Sequence, residues 1–215
     1  MSKITLSELP ATIAGKLLDI GAVALSPGEP FTWTSGLKSP IYCDNRLTMS
    51  FPDIRDLIAE GFASIISERF PDTEVIAGTS TAGIPHAAFV SQKLNLPMAY
   101  IRDKAKGHGK KNQIEGQILP GQKVVVIEDL ISTGGSSLKA AQAVREAGAE
   151  VVAVLAIFTY QFPAAAQAFA DDGFTLETLS NYTALIETAH QRGIVSSGDL
   201  DKLNGWKENP DQYGR

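Results

Sequence analysis

Val124-Val125-Val126-Ile127-Glu128-Asp129-Leu130-Ile131-Ser132-Thr133-Gly134-Gly135-Ser136 is the stretch from which the rest of the chain can be read. It opens as an unbroken apolar run, the pattern of a strand buried on both faces of a parallel sheet. Two carboxylates stand at the strand's carboxyl end, where open α/β sheets bind ligands. Small hydroxyl and glycine residues follow. A helical pattern comes next, through Ser137, Leu138, Ala140, Ala141 and Val144. A small-residue turn at a helix start presents free N–H groups and the positive end of the helix dipole, which suits a phosphate. Adjacent acids beside a phosphate would repel it unless they face hydroxyls or a cation. A phosphorylated sugar satisfies both halves of the stretch. The glycines fit neither a G-x-G-x-x-G run nor a P-loop.

The chain has 215 residues, enough for one substantial core. Its 44% hydrophobic and 20% charged residues are those of an ordinary globular protein. A net charge of −5 argues against a dedicated nucleic-acid binder. No apolar run approaches the roughly 18 residues of a membrane span, and no secretory signal is visible at the start. The single cysteine, Cys43, excludes an internal disulfide framework and a multi-cysteine metal site. No all-protein metal cage is visible, so no residue is assigned to a metal. Cytoplasm is the default location.

Along the chain, helical spacing of Leu9, Ile13, Leu17 and Ile20 ends at Gly21. Residues 22–25 and 31–34 read as short strands around a Pro27-Gly28 turn. A long amphipathic helix begins near Pro52, with Ser50 as its candidate N-cap. Buried strands are expected at 75–78, 98–101, 151–158 and 175–179, and a small-residue turn at 79–85 feeds a helix over 86–94. This alternation predicts an α/β fold: a mostly parallel, doubly wound sheet with right-handed crossovers. Residues 102–116 form a basic, glycine-punctuated connection longer than usual, the kind of loop that is functional or simply solvated. The tail carries a helix through Tyr182, Leu185, Ile186 and Ala189. A polar segment follows around Leu200, Leu203 and Trp206, expected against the sheet edge, and then loose residues from Glu208 to Arg215.

The Val124–Ser136 stretch resembles the ribose-5-phosphate signature of type I phosphoribosyltransferases: four apolar residues, two acids, two apolar residues and a Ser/Thr/Gly loop. Three further segments are similar to orotate phosphoribosyltransferases. They are Phe31-Thr32…Ser35-Gly36…Ser39-Pro40-Ile41-Tyr42, then Tyr100-Ile101-Arg102…Lys106-Gly107-His108-Gly109 with Asn112-Gln113-Ile114-Glu115-Gly116, and Leu179-Ser180-Asn181-Tyr182. The resemblance implies a single phosphoribosyltransferase domain over 1–215. Within it would lie a small hood near 22–48 with C-terminal contributions, a flexible catalytic loop near 103–117 and a helical tail over 181–215. It also implies transfer of the phosphoribosyl group of 5-phosphoribosyl 1-diphosphate (PRPP) to orotate, with Mg²⁺, in pyrimidine synthesis. A homodimer is implied too, with the loop of each subunit closing over the other's site.

Position by position, the resemblance assigns Lys106, His108 and Asp129 to catalysis. It assigns PRPP binding to Arg102, Lys106, His108, Glu128, Asp129, Leu130, Ile131, Ser132, Thr133, Gly134, Gly135 and Ser136, and a contact with orotate to Ser132. Glu128 and Asp129 would take the ribose hydroxyls, and the 79–83 turn the pyrophosphate. Several relatives carry Lys where this chain has Thr34, Ala82 and Asp103, so substrate charge falls to other residues, such as Lys104 or Arg46. Arg46 is the candidate for the orotate carboxylate. Two rivals share the ribose motif: a purine-base phosphoribosyltransferase, and a PRPP-sensing regulator. The regulator would need a DNA-binding helix-turn-helix. The N-terminal helix, with one Lys and no partner helix, does not supply one.

Overall fold

The computed structural model describes residues 5–33, 36–103 and 113–213. In chain order the elements begin with α1 (Leu9–Asp19), β1 (Val23–Leu25), β2 (Phe31–Thr32), β3 (Lys38–Ser39) and β4 (Ile41–Cys43). A 3₁₀ turn (Asn45–Ser50) leads into α2 (Pro52–Arg69), β5 (Val75–Thr79), α3 (Gly83–Leu94), β6 (Met98–Ile101) and β7 (Ile114–Glu115). There follow β8 (Lys123–Ile131), α4 (Gly135–Glu146), β9 (Glu150–Thr159), α5 (Pro163–Asp171), β10 (Leu176–Asn181), α6 (Tyr182–Gln191) and α7 (Ser197–Glu208).

Six strands form one sheet in the order β10-β9-β8-β5-β6-β7, parallel throughout except for the short β7 edge. The chain winds outward from β5 to β6 in one direction, then returns to β8 and winds through β9 to β10 in the other. The reversal falls between β5 and β8, so a crevice opens beyond their carboxyl ends. Alternation along β8 feeds two cores: Val125 and Ile127 pack with α1, α2 and α3, whereas Val124 and Val126 pack with α4 and α5. Both faces are covered, which is why the strand reads as continuous apolar sequence. No described helix is long and apolar enough to cross a membrane.

Several expectations are corrected. The two N-terminal strands do not pair with each other across Pro27-Gly28. Instead β1 pairs with β4 and β2 with β3, each antiparallel, so one hairpin nests inside the other. Ser50 is not the cap of α2: it ends the 3₁₀ turn, and Phe51 precedes Pro52 with no side-chain cap. Pro at the first helical position, which has no N–H to satisfy, starts the helix there. The basic connection re-enters the sheet earlier than its polarity implies, because Ile114 pairs with Ile101 and Glu115 with Tyr100.

The tail departs furthest from expectation. Its polar segment is helix α7, opened by a capping box between Ser196 and Asp199. Its anchor is Trp206, fully buried not at a bare sheet edge but within an aromatic cluster. The ring lies 5.9 Å from Trp33, 5.6 Å from Tyr160, 5.1 Å from Phe162 and 5.1 Å from Tyr182. Among the described residues after Glu208, Tyr213 is held, its hydroxyl donating to the Pro27 carbonyl at 3.1 Å. The last helix thus clamps the nested hairpins onto the end of β9. Replacing Trp206 with Ala should destabilise the protein by ~3–5 kcal/mol, the usual cost of emptying a buried aromatic site. Urea denaturation measures it, and a loss under about 1 kcal/mol would mean the cluster is not a core.

Candidate active site

The acidic pair lies within β8, not after it, and its environment is tight. Glu128 is 4% exposed. Its Oε1 accepts from the Asp129 N–H at 3.0 Å, and its Oε2 accepts from the hydroxyls of Ser136 at 3.3 Å and Ser137 at 3.1 Å. Burial, with Asp129 alongside, pushes its pKa up to about 8. Burial raises Asp129 as well, opposed by hydrogen bonds and by the nearby Arg46 charge. Two adjacent carboxyls in one low-dielectric pocket do not both ionise readily, so burial raises both members of the pair. Glu128 thus directs its oxygens to the first turn of α4, while Asp129 faces the crevice.

The turn after β8 is built on Gly134. Its φ of +83° is a left-handed conformation, and a Cβ there would come within 2.7 Å of Phe169. This residue caps α4 without a side-chain bond, so the first N–H groups of the helix are open to an anion. Across the crevice, α3 begins so close to β8 that a Cβ on Gly83 would stand 2.3 Å from the Ile127 carbonyl. That approach brings the 80–82 turn opposite the acids.

Between these parts lies a cleft of about 390 Å³. The 80–82 turn forms one wall; Glu128, Asp129, Leu130 and Ser136 form another; residues 43–46 close the third side. Arg46 is the cation of that lining. Its Nε and Nη2 reach the two Asp44 oxygens at 2.6 and 3.0 Å, a bidentate pair that leaves the other guanidinium edge free. The side chain is 64% exposed at the mouth of the cleft. Deeper, Asn45 donates from Nδ2 to the Asp129 carbonyl at 2.8 Å.

Arg102 lies in an adjoining crevice with Thr79, Ser80, Gln113, Ser136 and Lys139. Its buried Nη1 is ion-paired to Glu115 at 3.5 Å without a hydrogen bond, and the buried Thr79 hydroxyl has no hydrogen-bond partner among the described residues. Arg102, Lys139 and the unpartnered Thr79 hydroxyl, lining one crevice, suit an anion. Of the residues expected in the site, Glu128, Asp129, Leu130 and Ser136 meet in the cleft, and Arg102 meets Ser136 in the crevice. Ser132, Thr133, Gly134 and Gly135 form the turn and the α4 start, whereas the Ile131 side chain is buried in the core, so only its backbone is available to a ligand. Lys106 and His108 lie outside the described residues. Sequence reasoning missed Asn45 and Lys139. Nothing local marks a partner 84 residues away, or a crevice shared by three elements.

The chain that builds this site is similar to known proteins. Residues 50–191 fit the family model described as the phosphoribosyl transferase domain. The orotate phosphoribosyltransferase of Bacillus caldolyticus is 61% identical over 202 residues, covering 94% of this chain and 98% of that one. The chain belongs to the orotate phosphoribosyltransferase family. Among solved structures, the Aeropyrum pernix orotate phosphoribosyltransferase superposes with a TM-score of 0.73 at 27% identity, over 86% of this chain and 99% of that one. Leishmania donovani UMP synthase gives 0.76 at 29% identity, but this chain spans only 42% of that larger protein. Membership makes the protein an enzyme of group transfer.

The raised pKa of Glu128 has a testable sign. The folded state keeps a proton that the unfolded chain releases above its ordinary pKa of 4.5, so stability falls as pH rises from 4.5 to about 8. Glu128→Gln should remove that slope in the ligand-free enzyme. Urea midpoints of variant and wild type should diverge in the variant's favour from pH 5 to pH 8; parallel curves would place an ionised Glu128 in the folded protein.

Proposed function

We propose that the protein transfers the 5-phosphoribosyl group from PRPP to orotate, giving orotidine 5′-monophosphate and pyrophosphate in pyrimidine synthesis. The observation that carries the reading is the pairing of a carboxyl-ended strand with an open, glycine-capped helix N-terminus at the switch point. The full-length likeness to named orotate phosphoribosyltransferases supports the choice of base. In this reading the amides of 132–136 hold the 5-phosphate, and Asp129 takes the ribose hydroxyls with Glu128 behind it. The 80–82 turn, Arg102 and the Thr79 hydroxyl receive pyrophosphate, and Lys139 adds charge from the far wall.

The bond from the anomeric carbon to pyrophosphate breaks with its electron pair leaving on the phosphate oxygen. A ring nitrogen of orotate then bonds that carbon and gives up its proton. Positive charge grows on the sugar and negative charge on the leaving group, so fixed groups of both signs are needed. Asp129 faces the first. Arg102 and the loop residues Lys106 and His108 face the second, and closure of that loop excludes water. Ser132 touches orotate, and the free edge of Arg46 receives its carboxylate, in place of the lysines found in relatives.

Mg²⁺ fits the same site. Among the described residues no group of three ligands would hold a metal alone, but this ion binds through one or two carboxylates plus substrate phosphates, and Asp129 offers a hard oxygen beside them. The ion would supply charge neutralisation to the diphosphate. We further infer a single domain with a hood near 22–48, and a cytoplasmic homodimer whose loops cross between subunits. Exposed Tyr42, Leu47 and Phe51 beside the cleft support a second copy there.

Product analysis with PRPP and orotate, uracil or hypoxanthine, with and without Mg²⁺, tests the reading: only orotate with Mg²⁺ should give nucleotide and pyrophosphate. Lys106→Ala should lower kcat by ~10²–10³, the effect of losing one transition-state charge partner. Arg46→Ala should raise the KM for orotate by about tenfold or more, as loss of one charged hydrogen-bond partner does, with the KM for PRPP little changed. An unaltered orotate KM would remove Arg46 from base recognition.

A further inference from the structure

Asn45 lines the cleft yet is only 1% exposed, and both ends of its amide are in use. Nδ2 donates to the Asp129 carbonyl at 2.8 Å, and Oδ1 accepts from the Cys43 thiol at 3.3 Å. Burial, reinforced by Asp129 and Asp44, pushes the thiol pKa up, so Cys43 remains a donor. That donor fixes which way the amide faces. The backbone beneath is held as well: Thr48 Oγ1 donates to the Asn45 carbonyl at 2.6 Å, and the Asp44 N–H donates to Ala22 at 2.7 Å.

Its place in the topology explains the need. Pairing of β5 with β8 ends at Ile127, whereas β8 runs on to Ile131. Beyond Ile127 on that side the backbone has left its ladder, and a strand-end carbonyl still requires a donor. A side-chain amide from a different part of the chain supplies one at Asp129. We propose that Asn45 is a positioning residue: by holding this carbonyl it sets the peptide plane from which the Asp129 carboxyl projects, and so aims the carboxyl at the sugar. The inference rests on the reading of Asp129 as the ribose contact. It makes the 43–46 segment a guide for the ribose as well as a wall for the base.

The test compares full-length wild type, Asn45→Ala, Asn45→Asp and Asp129→Asn, each with PRPP and with its 2-deoxyribose and 3-deoxyribose counterparts, melting temperatures being measured alongside. Asn45→Asp keeps size but sets an acceptor against the carbonyl. Both Asn45 variants should raise the KM for PRPP about tenfold, as expected for one lost buried hydrogen bond. Both should also lose preference for PRPP over a deoxy counterpart, as Asp129→Asn does. A role in folding alone would lower the melting temperature and leave that preference intact. Folded Asn45 variants with wild-type preference, beside an Asp129→Asn that has lost it, would overturn the inference. An Asp129→Asn with unchanged preference would instead overturn the ribose assignment. Should Asn45→Ala fail to fold, Cys43→Ala frees the amide to turn and must weaken the same preference; no weakening counts against the proposal.

Discussion

Two neighbouring carboxyls near the end of a strand, one buried and one half-buried, are the constraint around which this molecule is arranged. Removing a charge from water is costly unless it is neutralised or hydrogen-bonded. The fold answers differently for each acid. Glu128, its pKa raised by burial, accepts from the serines of α4, so the helix start is fastened to the strand by the acid beside it. Asp129 stays at the cleft wall, near Arg46. The anion-binding end of a helix and an anionic side chain thereby stand a few residues apart without cancelling each other.

The strand reversal makes room for this arrangement. Where β5 and β8 part, neither neighbour completes the other's backbone, and the gap is filled from outside the sheet. Gly83 lets α3 come against the Ile127 carbonyl, and Asn45 reaches Asp129. Chemistry settles at such a point because its polar groups face a crevice instead of a strand.

Much of this was legible in the sequence. The apolar run of β8 and the small-residue turn after it are local properties, set by burial on two faces and by the lack of side-chain bulk. They placed the acids and the helix start together before any coordinates. What escaped was set by distance along the chain. Pro27-Gly28 reads as a hairpin turn, but the hydrogen bonds of β1 go to β4, past an entire inner hairpin. Helix α7 has few apolar residues, and two fully buried ones, Leu203 and Trp206, fix it in place. The serine bonds of Glu128 were equally hidden, since adjacent residues give no sign of which side chains will fold against them.

The clamp of α7 on the nested hairpins also bears on how the enzyme comes into being. The nested hairpins that lead to Asn45 and Arg46 lie far from α7 in sequence, yet Trp206 packs on Trp33 and Tyr213 bonds Pro27 within them. Docking of the hairpins against residues 206–213 is therefore a long-range step of folding, and the edge of the cleft is only as firm as those contacts.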